Sequence, residues 1–199
     1  MPRTSRLSRE FFAQPTLQVA RQLLGCILVH EQKINGKKRR LSGIIVETEA
    51  YCGERDLGCH AKAGRTPRTA VMYGPPGHAY VYFTYGNHWL FNCITRAEGE
   101  PHAVLLRAIR PLDGIDLIAR RRAGQAQAHW ANGPGKLTQA LGIDGRHNGV
   151  DLAPPTAIIF IEAGPQVPAR LVKTGPRIGL HTVPEPWKSK PWRFLASIA

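Results

Sequence analysis

The sequence predicts an α+β fold: a single compact domain on a curved antiparallel sheet or partial barrel, with peripheral helices and a protruding β-hairpin. Three observations carry this expectation. Strand-like runs outnumber helical ones, most connections are short and hairpin-like rather than βαβ crossovers, and no linker divides the chain. A chain of 199 residues fits one domain, and one of this size buries roughly 70% of its unfolded surface. Hydrophobic residues make up 43% and charged residues 21%, which excludes general disorder. No apolar run reaches the roughly 18 residues of a membrane span. Residues 1–6 are basic, but no apolar stretch follows as in a secretory signal.

Residues 1–12 are polar and basic, and are expected to be disordered or to lie on a partner. Leu17, Ala20, Leu23 and Leu24 recur at helical spacing over 16–24, with Gly25 as the stop. A strand follows over 26–30. Asn35-Gly36 makes a turn before the basic run 37–40, which is either a solvated hairpin tip or a phosphate contact. A long strand spans 41–51. Residues 53–79, rich in Gly and Pro, read as an ordered functional loop. Strands over 79–85 and 88–95 flank Gly86-Asn87, a two-residue hairpin signal. The apolar strand 103–109 ends at Arg110-Pro111. A helix over 114–122 turns Ile115, Ile118 and Ala119 inward, and a second over 135–141 stops at Gly142. Residues 156–162 are strongly β, and 163–199 hold short strands at most.

Lys and Arg total 27 against 14 Asp and Glu, a net charge of +13. Such a surplus favours polyanion partners, nucleic acid above all. By successive quarters the net charge is +5, +1, +4 and +3, and the near-neutral second quarter holds all five tyrosines. This segment reads either as core inside a charged shell or as a stacking surface, since Tyr carries a flat face and a polar tip. Cys26, Cys52, Cys59 and Cys93 lack the C-x2-C spacing of zinc sites and are too few for a disulfide framework. They read as reduced thiols in a cytoplasmic protein, with no metal expected.

Strand alternation in 44–51 puts Ile45, Glu47, Glu49 and Tyr51 on one face. Two carboxylates in a β-branched strand are either salt-bridged to arginines or supply a general base. A partly apolar site raises a carboxylate's pKa and suits it to take a proton from water. Periodicity alone does not choose between Glu47 and Glu49. The hairpin brings Tyr85 and His88 to an exposed tip, where Tyr85 either packs back on its own sheet or acts as a wedge of the kind inserted between base steps. A strict two-residue turn would pair 82 with 91 and 81 with 92, putting Tyr82 and Asn92 on opposite faces.

Val46-Glu47-Thr48-Glu49-Ala50-Tyr51, His60, Arg65-Thr66-Pro67-Arg68, Tyr80-Val81-Tyr82, Tyr85-Gly86, Asn92 and Val104-Leu105-Leu106-Arg107 together resemble the alkyladenine (3-methylpurine) DNA glycosylase family. Gly133-Pro134-Gly135-Lys136-Leu137 and Gln139-Ala140-Leu141 fit the same pattern, and the similarity covers about residues 16–195. The resemblance implies a glycosylase domain over 13–199 that flips alkylated or deaminated purines out of damaged double-stranded DNA for base excision repair. It implies Glu49 as the base that activates water and Arg107 near that water and the target phosphate. Tyr51, His60 and Tyr82 would sandwich the flipped base. Asn92 would crowd the 2-amino group of guanine, and Tyr85 would fill the vacated stack.

Arg65, Arg68 and Lys136 are the first candidates for phosphate contacts, Lys136 beside backbone N–H groups at a helix start. No lysine is an obvious Schiff-base nucleophile, Lys62 being the nearest in sequence, so a monofunctional enzyme without strand cleavage is expected. The resemblance implies no cofactor and no membrane partner. A monomer is expected, in the cytoplasm or, in a bacterium, at the nucleoid. The competing readings are a non-catalytic nucleic-acid binder and a metal hydrolase built on His60 and Cys59.

Overall fold

The computed structural model describes residues 5–198. Its eight strands form one open antiparallel sheet, ordered β3-β4-β5-β2-β1-β6, with β8 added to β2 and β7 to β8. The strands are β1 (Ile27–Ile34), β2 (Lys37–Cys52), β3 (Ala79–Thr84), β4 (His88–Thr95), β5 (His102–Asp113), β6 (Ile159–Glu162), β7 (Val172–Gly175) and β8 (Arg193–Ala196). Four short helices lie around it: α1 (Arg9–Phe12), α2 (Thr16–Gln22), α3 (Ile115–Arg121) and α4 (Pro134–Leu141). No helix among the described residues is long and apolar enough to cross a membrane.

Of the N-terminal stretch expected to be disordered or to lie on a partner, residues 1–4 lie outside the described residues. Beyond them Arg6 forms an isolated backbone β-bridge with Glu162, Leu7 N–H bonds the Ile161 carbonyl, and Phe12 is fully buried. Helix α2 buries Thr16, Val19 and Ala20, followed by Leu23 and Leu24. Leu17, expected on that face, is exposed instead, because the buried stripe runs at 16, 19, 20 and 23. Helix α3 likewise buries Leu117 and Ile118, leaving Ile115 exposed. Strand β5 continues past Pro111, where the sequence pattern predicts its end. Pro111 pairs with Gly43 at a register shift, where a missing N–H is tolerated.

Of the two readings of the basic run 37–40, the ion pairs favour the hairpin. Lys38 pairs with Glu31, Arg39 with Asp116, and Arg40 with Asp113 and Glu162. The charges of Lys38, Arg39 and Arg40 are thus answered within the fold.

Strand β2 changes partners midway, and this builds the site. Its first half pairs with β1 up to Ile44, and Glu47 to Glu49 pair with β8, while β5 runs along the other edge. Register shifts against β5 lie at Ile45/Glu47 and Glu47/Thr48. The irregularity sends Ile45 into the main core with Ala50, so the expected grouping of Ile45 with Glu47, Glu49 and Tyr51 fails at Ile45. A bulge re-aims side chains in this way.

His30 gives the fold an acid-sensitive point. It is buried, bonded to the Leu141 carbonyl at 3.0 Å, and packed edge-on against His147 at 4.8 Å. Burial pushes its pKa down to about 4. The unfolded chain therefore binds more protons between about pH 6.5 and 4, and stability is lost as pH falls through that window. Urea unfolding of His30→Gln should show about 2 kcal/mol less loss between pH 7 and pH 5 than the wild type.

Candidate active site

The hairpin β3–β4 forms the aromatic side of the site. Tyr80 pairs with Asn92, Tyr82 with Leu90 and Thr84 with His88, leaving a three-residue loop, Tyr85-Gly86-Asn87. Tyr85 and Gly86 both adopt positive φ, 51° and 72°, the left-handed geometry such a loop demands. The longer loop shifts the register by one residue from the two-residue turn. Tyr80, Tyr82 and Asn92 therefore share one face, which removes the conflict between Tyr82 and Asn92.

That face opens on a pocket of about 290 Å³, at the small end of the roughly 300–1,000 Å³ of small-molecule sites. Tyr51, His60, Tyr82, Asn92 and Arg107 all line it. His60 meets Tyr82 edge-to-face at 4.5 Å and bonds the Tyr80 hydroxyl through Nδ1 at 3.0 Å. Burial, with Arg68 and Lys62 nearby, holds the His60 pKa down to about 4, so the ring is neutral at pH 7. Asn92 is buried and donates to the Tyr80 carbonyl at 3.0 Å.

Glu49 lies behind this wall, fully buried. Its Oε1 accepts the Ile178 N–H at 2.7 Å and lies 3.3 Å from Arg107 Nη1, and its Oε2 accepts the Tyr51 hydroxyl at 2.8 Å. All three partner residues line the pocket. Burial raises the Glu49 pKa, opposed by Arg107, the Ile178 N–H and Tyr51. Glu47 accepts Arg107 Nε at 3.1 Å and Arg193 Nη1 at 3.0 Å. Arg107 thus joins both carboxylates. Glu47 is held by two arginines, whereas Glu49 keeps one oxygen bonded only to a neutral hydroxyl.

Tyr85 stands at the mouth and is 83% exposed. A Cβ on Gly179 would lie 3.8 Å from the Tyr85 hydroxyl, so the hairpin tip and the 177–180 segment face each other across the opening. Arg65 and Arg68 are exposed, with their guanidinium groups 5.8 Å and 5.3 Å from the rings of Tyr73 and Tyr82. Lys136 bonds the Asn132 side chain at 2.8 Å, on helix α4, whose first residue Pro134 reaches the pocket. Lys62 is exposed. Cys52 and Cys59 are unpaired thiols that burial pushes up to about 12. Among the described residues no group of three His, Cys, Asp or Glu is placed to hold a metal ion.

Sequence reasoning missed four contributors. Tyr80 had a signal, since it sits two residues from Tyr82 and so shares its face. Asp56, Arg177 and Ile178 had none, because 163–199 shows no periodicity and the contacts to Glu49 and Asp56 span more than a hundred residues.

The family model for methylpurine-DNA glycosylase matches residues 10–198. A protein of Carboxydothermus hydrogenoformans, named for 3-methyladenine DNA glycosylase, is 47% identical over 94% of this chain and 93% of its own length. Similarly named proteins of Chlorobaculum tepidum and Myxococcus xanthus are 45% and 46% identical, over 88% and 94% of this chain and 81% and 88% of their own lengths. The chain belongs to the methylpurine-DNA glycosylase family and is a DNA glycosylase.

Proposed function

We propose that the enzyme flips an alkylated or deaminated purine from duplex DNA into the Tyr51–His60–Tyr82 pocket and hydrolyses its N-glycosidic bond with a water activated by Glu49. The observation that carries this reading is a fully buried carboxylate whose two hydrogen-bond partners, Tyr51 and Ile178, and ion-pair partner, Arg107, are themselves pocket wall. Oε1 accepts the Ile178 N–H and is ion-paired with Arg107. Oε2 receives a single neutral hydroxyl and has a second lone pair free for water.

Chemistry on a stacked base requires extrusion, which costs a few kcal/mol. Tyr85 offsets part of it by filling the gap. Cationic methylpurines are drawn to the electron-rich tyrosine rings, and a neutral His60 adds no repulsion. The N-glycosidic bond breaks with both electrons going to the purine, so a cationic methylpurine leaves neutral and a neutral lesion leaves with a proton taken from solvent, and an oxocarbenium-like sugar remains. The buried Glu49 charge stabilises that cation. Water then bonds to C1′ and its proton passes to Glu49 Oε2. Arg107 holds Glu49 in place and faces the pocket beside the reacting centre. Asn92, fixed by its bond to the Tyr80 carbonyl, crowds the 2-amino position of guanine. Arg65, Arg68 and Lys136 grip phosphates.

The proposed reaction is monofunctional and ends at an abasic site. Duplex oligonucleotides carrying ethenoadenine, hypoxanthine or a methylated purine test this reading. At least one should be cut at the lesion after enzyme and hot alkali together, and remain intact with enzyme alone. Strand cleavage without alkali contradicts the monofunctional reading. No alkali-labile site on any of them contradicts the reaction.

A further inference from the structure

Asp56 and Arg177 form an ion pair whose side chains are both completely buried. The contacts are bidentate, Nη1 to Oδ2 at 2.5 Å and Nη2 to Oδ1 at 2.7 Å. A buried pair is a poor source of stability, since apolar residues of the same size often serve as well. What a bidentate pair adds is fixed orientation. We propose that Asp56 and Arg177 are positioning residues: they clamp the 177–180 strap against β2, so that the Ile178 N–H stays on Glu49. The inference rests on the reading of Glu49 as the base.

The bonds of the pair converge on the base. Arg177 Nη1 also donates to the Ala50 carbonyl at 3.0 Å, and Asp56 accepts the Cys52 N–H at 3.0 Å. β2 is therefore held on both sides of Tyr51, starting one residue from Glu49. The Arg177 guanidinium lies 4.7 Å from the Tyr51 ring centre, and the Tyr51 hydroxyl bonds Glu49 Oε2. Ile178, next in the chain, supplies the 2.7 Å N–H bond to Oε1. Two of the three partners of Glu49 thus depend on where Arg177 sits, and only Arg107 does not. Asp56 also accepts the Gly58 N–H at 3.0 Å. Gly58 is the residue that allows the strap so close, because a Cβ there would lie 2.7 Å from Arg177 Nη2 and from Leu180.

The charged and titratable groups around Glu49 are Glu47 and Tyr51 on β2, Tyr82 on β3, Arg107 on β5, Arg193 on β8 through Glu47, and Arg177 in the strap. Loosening the strap removes a donor that favours the ionised carboxylate. The acid limb of base release then moves to higher pH.

The test is single-turnover base release across pH, with enzyme in excess over a lesion duplex that the wild type cleaves. Affinity for that duplex is measured alongside. Asp56→Asn and Arg177→Lys should bind within a few-fold of wild type, release base about 10²-fold more slowly, and show the raised acid limb. In the Glu49→Gln background, Asp56→Asn should cost the residual rate nothing further. Should either clamp variant fail to fold, Ile178→Pro carries the same expectation, since it deletes the N–H at a residue whose side chain is half exposed. A wild-type rate and limb in the folded variants overturns the clamp, and so does an equal-fold loss in both backgrounds. Unimpaired clamp variants beside an inactive Glu49→Gln overturn the clamp alone. A fully active Glu49→Gln overturns the reading of the base itself.

Discussion

Glu49→Gln lowers the single-turnover rate of base release by about 10³-fold, within the 10²–10⁴ attributed to general acid–base catalysis, and leaves affinity for lesion DNA nearly unchanged. The amide has the same shape and keeps an oxygen for the Ile178 N–H, but it takes no proton from water and places no charge beside the sugar. Glu49 is fully buried, so its loss removes no DNA contact. Arg107 is also held by Glu47 at 3.1 Å, which limits its displacement in the variant. The pH profile gives a second signature. Burial raises the Glu49 pKa, and only the ionised form acts as a base. Wild-type base release should therefore fall as pH drops through that raised value, and the residual rate of Glu49→Gln should lack this limb. His60 stays neutral down to about pH 4 and does not supply a limb near neutrality. Quench-flow rates from pH 5 to 8 on both proteins measure the difference.

Tyr85→Ser is the next largest expected effect, a fall of about 10²-fold in base release together with weaker lesion binding. That magnitude is the few kcal/mol of unstacking that an inserted Tyr85 ring would offset, at about 1.4 kcal/mol per tenfold. This variant separates function from folding. Tyr85 is 83% exposed, and surface substitutions of that kind usually stay within about 0.5 kcal/mol of wild type. Its backbone sits at φ 51°, a geometry that costs Ser no more than Tyr. Thermal unfolding should match the wild type while base release does not. Equal activity in the two proteins would mean that Tyr85 packs on the protein's own surface during the reaction.

Local pattern carried the fold a long way and failed at identifiable places. The strand runs at 41–51, 79–85 and 88–95 appear close to where β2, β3 and β4 lie, because apolar alternation and Gly86-Asn87 are local signals. The hairpin register was off by one, because a two-residue and a three-residue loop differ only in whether Tyr85 pairs or turns. The β2 irregularity at Ile45/Glu47 was illegible for another reason. It arises where β1 leaves the edge of β2 and β8 takes it over, and no local pattern announces that exchange. The site divides in the same way. Glu49, Tyr51, Tyr82 and Asn92 stand in strands whose alternation can be read. Arg177 and Ile178 reach Glu49 from an aperiodic, proline-rich segment, through a hydrogen bond between residues 129 positions apart.

In the proposed reaction Glu49 supplies the chemistry, while the aromatic pocket and Tyr85 supply the flipping. One stopped-flow experiment separates the two. It uses Glu49→Gln and a duplex whose lesion the wild type excises, with 2-aminopurine beside the lesion to report loss of stacking. The expected result is a flipping transient with the wild-type rate and amplitude, followed by no release of base on the wild-type timescale. Base released by Glu49→Gln at the wild-type rate would show that Glu49 is not the base.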